Sequence, residues 1–193
     1  MKPKVEIVHA TLDIVTAKVN PNIMQHHMTQ LARNIPAVYE IHPLDIQIIP
    51  LEINALGGVK DNIFYGRVPK YMIMAMVPTA AFYGDYSTNP FNFKHYNIKL
   101  LQLTRDGEPV PYEPFKPNFA TGNCLREYMS LYQSNNLLGK NTVLPISFEE
   151  FKTGYTHFQW NLSDDGRGVN ASPNQTANIR LAFEFDPKLP EAV

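Results

Sequence analysis

Asn89-Pro90-Phe91-Asn92-Phe93 opens, and Phe151-Lys152-Thr153-Gly154-Tyr155 closes, the stretch on which the fold turns. Between them lies Leu125-Arg126-Glu127-Tyr128-Met129-Ser130-Leu131-Tyr132. Leu125, Tyr128, Met129 and Tyr132 recur at helical spacing and predict an apolar stripe. Thr121 or Asn123 supplies a cap before the helix, and Asn135-Asn136 with Gly139 stops it. Extended, aromatic-rich runs flank this helix on both sides. One helix set among strands reads as a β-sandwich with an elaborated loop.

Just after the opening motif, Tyr96 to Thr104 reads as a strand that runs into Arg105-Asp106-Gly107-Glu108. Asp-Gly between apolar runs is a hairpin signal, so Val110 starts a return strand. Pro111, Pro114 and Pro117 make the next segment extended and surface-draped. Ser147 and Glu150 have capping-box spacing, which predicts one helical turn over 147–154, stopped by Gly154. Thr156 to Leu162 reads as a strand, and 163–175 as a polar loop. Ile179, Leu181, Phe183 and Phe185 alternate with Asn178, Arg180, Ala182 and Glu184, the clearest strand in the chain.

Toward the N-terminus, residues 5–19 read as a strand, with Val8, Ala10, Leu12 and Ile14 on one face. Asn20-Pro21 then reads as an N-cap with proline at the first helical position. Met24, His27, Met28 and Leu31 mark a short amphipathic helix to about Asn34. Residues 44–53 read as a strand with Pro50 at an edge or bulge, and 54–62 as a loop containing Gly57-Gly58. Residues 63–66 read as a short strand. Tyr71 to Val77 reads as a strand buried on both faces, with its methionines as core filler. Gly84 to Pro90 is a turn-rich loop. The expected fold is all-β: an antiparallel β-sandwich with short helices in its connections, seven or eight strands in all.

The 193 residues suit one domain. A chain of this size buries roughly 70% of its unfolded surface and needs no disulfide or metal to fold. Its 44% hydrophobic and 18% charged content is globular. A net charge of −1 with scattered basic residues argues against direct nucleic-acid binding, which needs clustered Lys and Arg. The single cysteine, Cys124, excludes an internal disulfide and reads as a buried structural thiol. No apolar run reaches the roughly 20 residues of a membrane span. The start lacks a signal peptide's apolar core, so the sequons at Asn161, Asn170 and Asn174 read as chance occurrences.

No catalytic signature emerges, and no catalytic residue, metal ligand or cofactor site is assigned. Gly166-Arg167-Gly168-Val169-Asn170-Ala171 lacks the flanking strand and helix of a dinucleotide site. His26 and His27 point about 100° apart on a helix and do not share one ion. Asp164-Asp165-Gly166 has too few ligands for a calcium loop. Phe91, Phe93, Tyr96, Phe115 and Phe119 are the candidate interface residues. A ligand platform, core packing and a subunit interface all account for them.

Several ordered stretches resemble the hexon-type major capsid proteins of Polinton/Maverick elements and the related adintoviruses. They are Lys4-Val5-Glu6-Ile7 with Lys18-Val19-Asn20-Pro21, then Phe64-Tyr65-Gly66-Arg67-Val68-Pro69, Ala80-Ala81-Phe82-Tyr83-Gly84-Asp85-Tyr86 and Asn89-Pro90-Phe91-Asn92-Phe93. Asp106-Gly107-Glu108-Pro109-Val110-Pro111, Leu125 to Leu131, Phe151 to Tyr155 and Ile179 to Phe185 come after them in order.

This resemblance implies a jelly-roll sandwich, the second roll of a double jelly-roll protein whose trimers form pseudo-hexagonal capsomers of an icosahedral shell. It implies a structural protein without enzymatic activity or cofactor. Its partners would be copies of itself and penton or minor capsid proteins, and its location the virion capsid, assembled inside the host cell. Family members continue past Leu189-Pro190 with one more apolar strand and carry a first roll upstream. Their lack here implies a truncated chain, a strand supplied from elsewhere, or a domesticated single roll. The competing expectation is a carbohydrate-type ligand-binding module.

Overall fold

A computed structural model describes residues 6–37, 44–64, 68–163 and 176–193. The contacts divide the chain into Met1–Asp45 and Ile46–Val193. In the first unit, helix α1 spans Pro21–Ala32. The Asn20 side chain accepts the Asn22 N–H and Pro21 opens the helix, as the Asn-Pro pair requires. No residue of α1 is buried. Residues 6–19 form no strand, contrary to their period-two pattern. A strand needs a hydrogen-bonded neighbour, and this segment pairs with none among the described residues.

The second unit holds six strands among the described residues: β1 (Gly57–Lys60), β2 (Tyr71–Ala75), β3 (Ile98–Arg105), β4 (Glu108–Phe115), β5 (His157–Asn161) and β6 (Ile179–Phe185). Helices α2 (Thr79–Phe82), α3 (Leu125–Ser134) and α4 (Phe148–Thr153) lie in the connections. One sheet has the order β1-β6-β3-β4 and the other pairs β2 with β5. All of these pairings are antiparallel.

The two sheets share one core. Leu101 and Leu103 of β3, Phe115 of β4, and Ile179, Leu181, Phe183 and Phe185 of β6 pack with Met72 of β2 and Phe158 and Trp160 of β5. The alternation along 179–185 is the cause for β6: its apolar set faces this core and Arg180 and Glu184 face out. A second cluster of Cys124, Tyr128, Leu131 and Phe151 lies beneath α3 and α4. Phe151 meets Phe158 edge-on at 6.4 Å, so the two clusters touch.

Several expected elements are corrected. Residues 44–53 are not a strand. Leu51 and Val193 exchange backbone hydrogen bonds at 2.7 and 3.0 Å, but Pro50 precedes that pair and a turn at Asn54 ends it. The expected loop at Gly57-Gly58 is β1, the edge strand on β6. A Cβ at Gly57 would collide with the Phe183 carbonyl, so glycine lets the backbone approach β6 closely. Residues 63 and 64 are not strand, and 65–67 lie outside the described residues. β2 is buried on one face only: Met72 is in the core while Ile73 is exposed.

The proline-rich run is not draped over the surface through 115. It pairs with β3 as β4 and carries Phe115 into the core. Proline is compatible with an edge strand, and β4 is one. Helix α3 starts after Cys124 without a side-chain cap. Its buried residues are Glu127, Tyr128, Ser130, Leu131 and Ser134, while Leu125 and Met129 are exposed. The polar ones are buried because they find partners: Glu127 accepts the Lys116 N–H, and Ser134 donates to the Gln159 carbonyl. The Asp106-Gly107 hairpin and the Ser147–Glu150 capping box form as read from the sequence.

Candidate interaction surface

The loop from Pro78 to Phe93 carries the densest set of exposed aromatic side chains in the second unit. Its start is anchored: Thr79 N–H donates to the Ala192 carbonyl at 3.0 Å, and Ala81 is buried. Phe82 and Tyr83 then project outward with their rings edge to face, 5.5 Å apart. Two side-chain turns shape the rest of the loop. Asp85 accepts the Ser87 N–H at 2.9 Å, and Asn89 accepts the Phe91 N–H at 3.0 Å. The hydrogen bonds from Ser87 hold the Asp85 carboxyl below its usual range. Phe93 closes the loop by bridging to Tyr155, and its carbonyl accepts the Thr156 N–H at 3.0 Å.

This framework holds Tyr83, Tyr86 and Phe91 at 82%, 73% and 68% exposure. Each ring pays little conformational entropy on docking, which suits contact surfaces. Tyr112 on β4, and Leu125 and Met129 one turn apart on α3, are further exposed apolar side chains of this unit.

The five aromatic candidates read from the sequence separate. Phe91 is on the surface. Phe93 is half-buried at the Tyr155 bridge. Tyr96 is buried, and its hydroxyl donates to Glu191 Oε1 at 2.9 Å. Burial first, then Glu191, raises its pKa. Lys94 also grips Glu191, at 2.7 Å. Phe115 is in the core, 5.7 Å from Trp160. Phe119 is half-buried and stacks on the His95 ring at 4.2 Å. Burial pushes the His95 pKa down, and its Nδ1 accepts the Asn97 N–H. Sequence reasoning flagged Phe91 and Phe93 in this loop but not Phe82, Tyr83 or Tyr86. Their position between a strand and a turn-rich run was the available signal.

Other chemistry is sparse. Cys124 is fully buried, and burial raises its pKa, Glu127 adding to the effect. Among the described residues, no group of three His, Cys, Asp or Glu side chains is placed to hold a metal ion. A depression lined by Asp61, Thr104, Gly107, Asn178 and Arg180 has its charges paired, with Arg180 3.4 Å from Asp61. The glycine-rich string at 166–171 and Asp164-Asp165 lie outside the described residues. No helix among the described residues is long and apolar enough to cross a membrane.

No family model and no solved structure matches the chain. It is similar to an uncharacterized protein of Caenorhabditis elegans, 26% identical over 177 residues. That match takes in 89% of this chain and 40% of the nematode protein, so the chain spans well under half of its curated relative.

Proposed function

We propose that the chain is a structural subunit, a jelly roll of a hexon-like major capsid protein that assembles as trimeric capsomers of an icosahedral shell. The observation that carries this reading is the outward display of Tyr83, Tyr86 and Phe91 on a hydrogen-bonded loop above an antiparallel two-sheet core. Rigid aromatic side chains held in water are the composition of a contact surface that another subunit buries. The ordered resemblance of the loops and strands to Polinton/Maverick and adintovirus capsid proteins supports the same reading. So does the relative's length, which leaves room for a second roll beside the matched region. The function proposed is burial of subunit interfaces, with no reaction catalysed and no cofactor. Partners are other copies and minor capsid or penton proteins, and the location is the virion.

The same exposed rings would stack against sugars, which makes carbohydrate binding the second reading. Tyr83→Ser with Phe91→Ser separates the two. For a capsid subunit, the complete gene product carrying both changes stays folded by circular dichroism but loses trimers in sedimentation and particles in electron micrographs. Intact trimers in the double variant, together with wild-type binding on a glycan array that the variant loses, would replace the shell reading with the sugar reading.

A further inference from the structure

Sheet edges are the reactive margins of this unit, and most are closed. On β4, Pro109, Pro111 and Pro114 lack N–H donors, and Arg126 donates to the Glu113 and Pro114 carbonyls at 2.8 and 2.9 Å. On β5, Ser134 of α3 donates to the Gln159 carbonyl, and Phe93 continues alongside at Tyr155. β1 is only four residues long. β2 is the exception. Leu162 N–H donates to the Lys70 carbonyl at 2.8 Å, which makes Met72–Trp160 and Met74–Phe158 the hydrogen-bonded pairs. The backbone groups of Ile73 and Ala75 therefore point away from β5, and no described residue meets them. Beside them Ile73 is 62% exposed, and Met74 is only half covered.

The same chain carries a strand pattern without a sheet. Val8, Ala10, Leu12 and Ile14 alternate with His9, Thr11 and Asp13. All are exposed, Leu12 at 84%. Helix α1 comes next, with Ile23, Met24, Met28 and Leu31 exposed as well. We propose that residues 6–19 of one copy add as a strand along the Ile73–Ala75 edge of β2 in a second copy. Val8, Leu12 and Ile14 then cover the open margin of the core beside Met74, and α1 supplies a further apolar face. Every copy holds both the strand and the edge, so the exchange is self-complementary and needs no other protein. Residues 6–32 match the roughly 20–30 residues per side of a stable interface. The exchange names a contact between copies and does not depend on whether those copies build a shell.

The test mixes two versions of the full chain, one with Thr11→Cys, on the face of the added strand that lies beside Ile73, and one with Ile73→Cys, under mild oxidation. Strand exchange gives a disulfide-linked pair in the mixture and little in either version alone. In parallel, Ile73→Lys places a charge on the open edge and lowers self-association by about tenfold or more, read by sedimentation. Hydrogen exchange on the wild type shows slow amides at Ile73 and Ala75 only at concentrations where copies associate. A chain carrying both cysteines that closes on itself as a monomer would overturn the exchange between copies. So would fast exchange at Ile73 and Ala75 in an associated sample. A linked pair that builds nothing larger would uphold the exchange and remove the shell reading.

Discussion

Phe91 and Phe115 look alike in sequence, each one or two residues from a proline, and the structure assigns them opposite work. Phe115 sits between Phe158 and Trp160, so Phe115→Ser leaves a cavity and costs about 3–5 kcal/mol in urea unfolding, the range for truncating a buried aromatic. Phe91→Ser changes unfolding by less than about 0.5 kcal/mol, and on the proposed capsid reading it lowers assembly instead. Proximity to proline does not tell a core ring from a surface one; the pairing of β4 with β3 does. His95 is the residue-scale handle on pH. Its folded pKa lies below the ordinary 6.5, so the unfolded chain binds a proton more readily. The stabilisation is complete above pH 6.5 and is lost as pH falls through the window between that value and the depressed one. Thermal melts across this range show a falling midpoint in the wild type and a shallower slope in His95→Gln.

At the scale of elements, legibility tracked local chemistry. β6 was readable because alternation and one-sided burial coincide along Ile179–Phe185. The β3–β4 hairpin was readable from Asp106-Gly107, both at positive φ. Helix α4 was readable from its cap, where Ser147 and Glu150 satisfy each other's backbone N–H groups. Ser147→Ala removes one of those bonds and costs about 1 kcal/mol, measurable as a lower denaturant midpoint. What failed depended on partners. α3 buries Glu127 and Ser134 because Lys116 and Gln159 are there to bond them, which no helical spacing announces. Neutralising that carboxyl checks the cost of burial. Burial raises the Glu127 pKa, so Glu127→Gln, which keeps an acceptor for Lys116 N–H, raises the denaturant midpoint at neutral pH. β1 was hidden because glycines are chosen there for closeness to Phe183. Residues 6–19 have a strand's pattern and, among the described residues, no paired neighbour to make it a strand.

For the whole molecule, the antiparallel, two-sheet character was legible and the strand inventory was not. Two strands expected near the N-terminus, at 5–19 and 44–53, are absent from the described structure, and one unexpected edge strand is present. The turn-rich run at Gly84 to Pro90 was legible in the sequence, but the exposed rings around it were not separable from core aromatics without the sheet register. The apolar side chains exposed on the 78–93 loop and along 6–35 are the surface that the proposed assembly would cover. The most direct measurement is the native mass of the complete gene product, by sedimentation velocity with electron micrographs of the same sample. A hexon-like capsid subunit gives discrete trimers with a hexagonal outline. A single monomeric species at tens of micromolar would contradict that central claim.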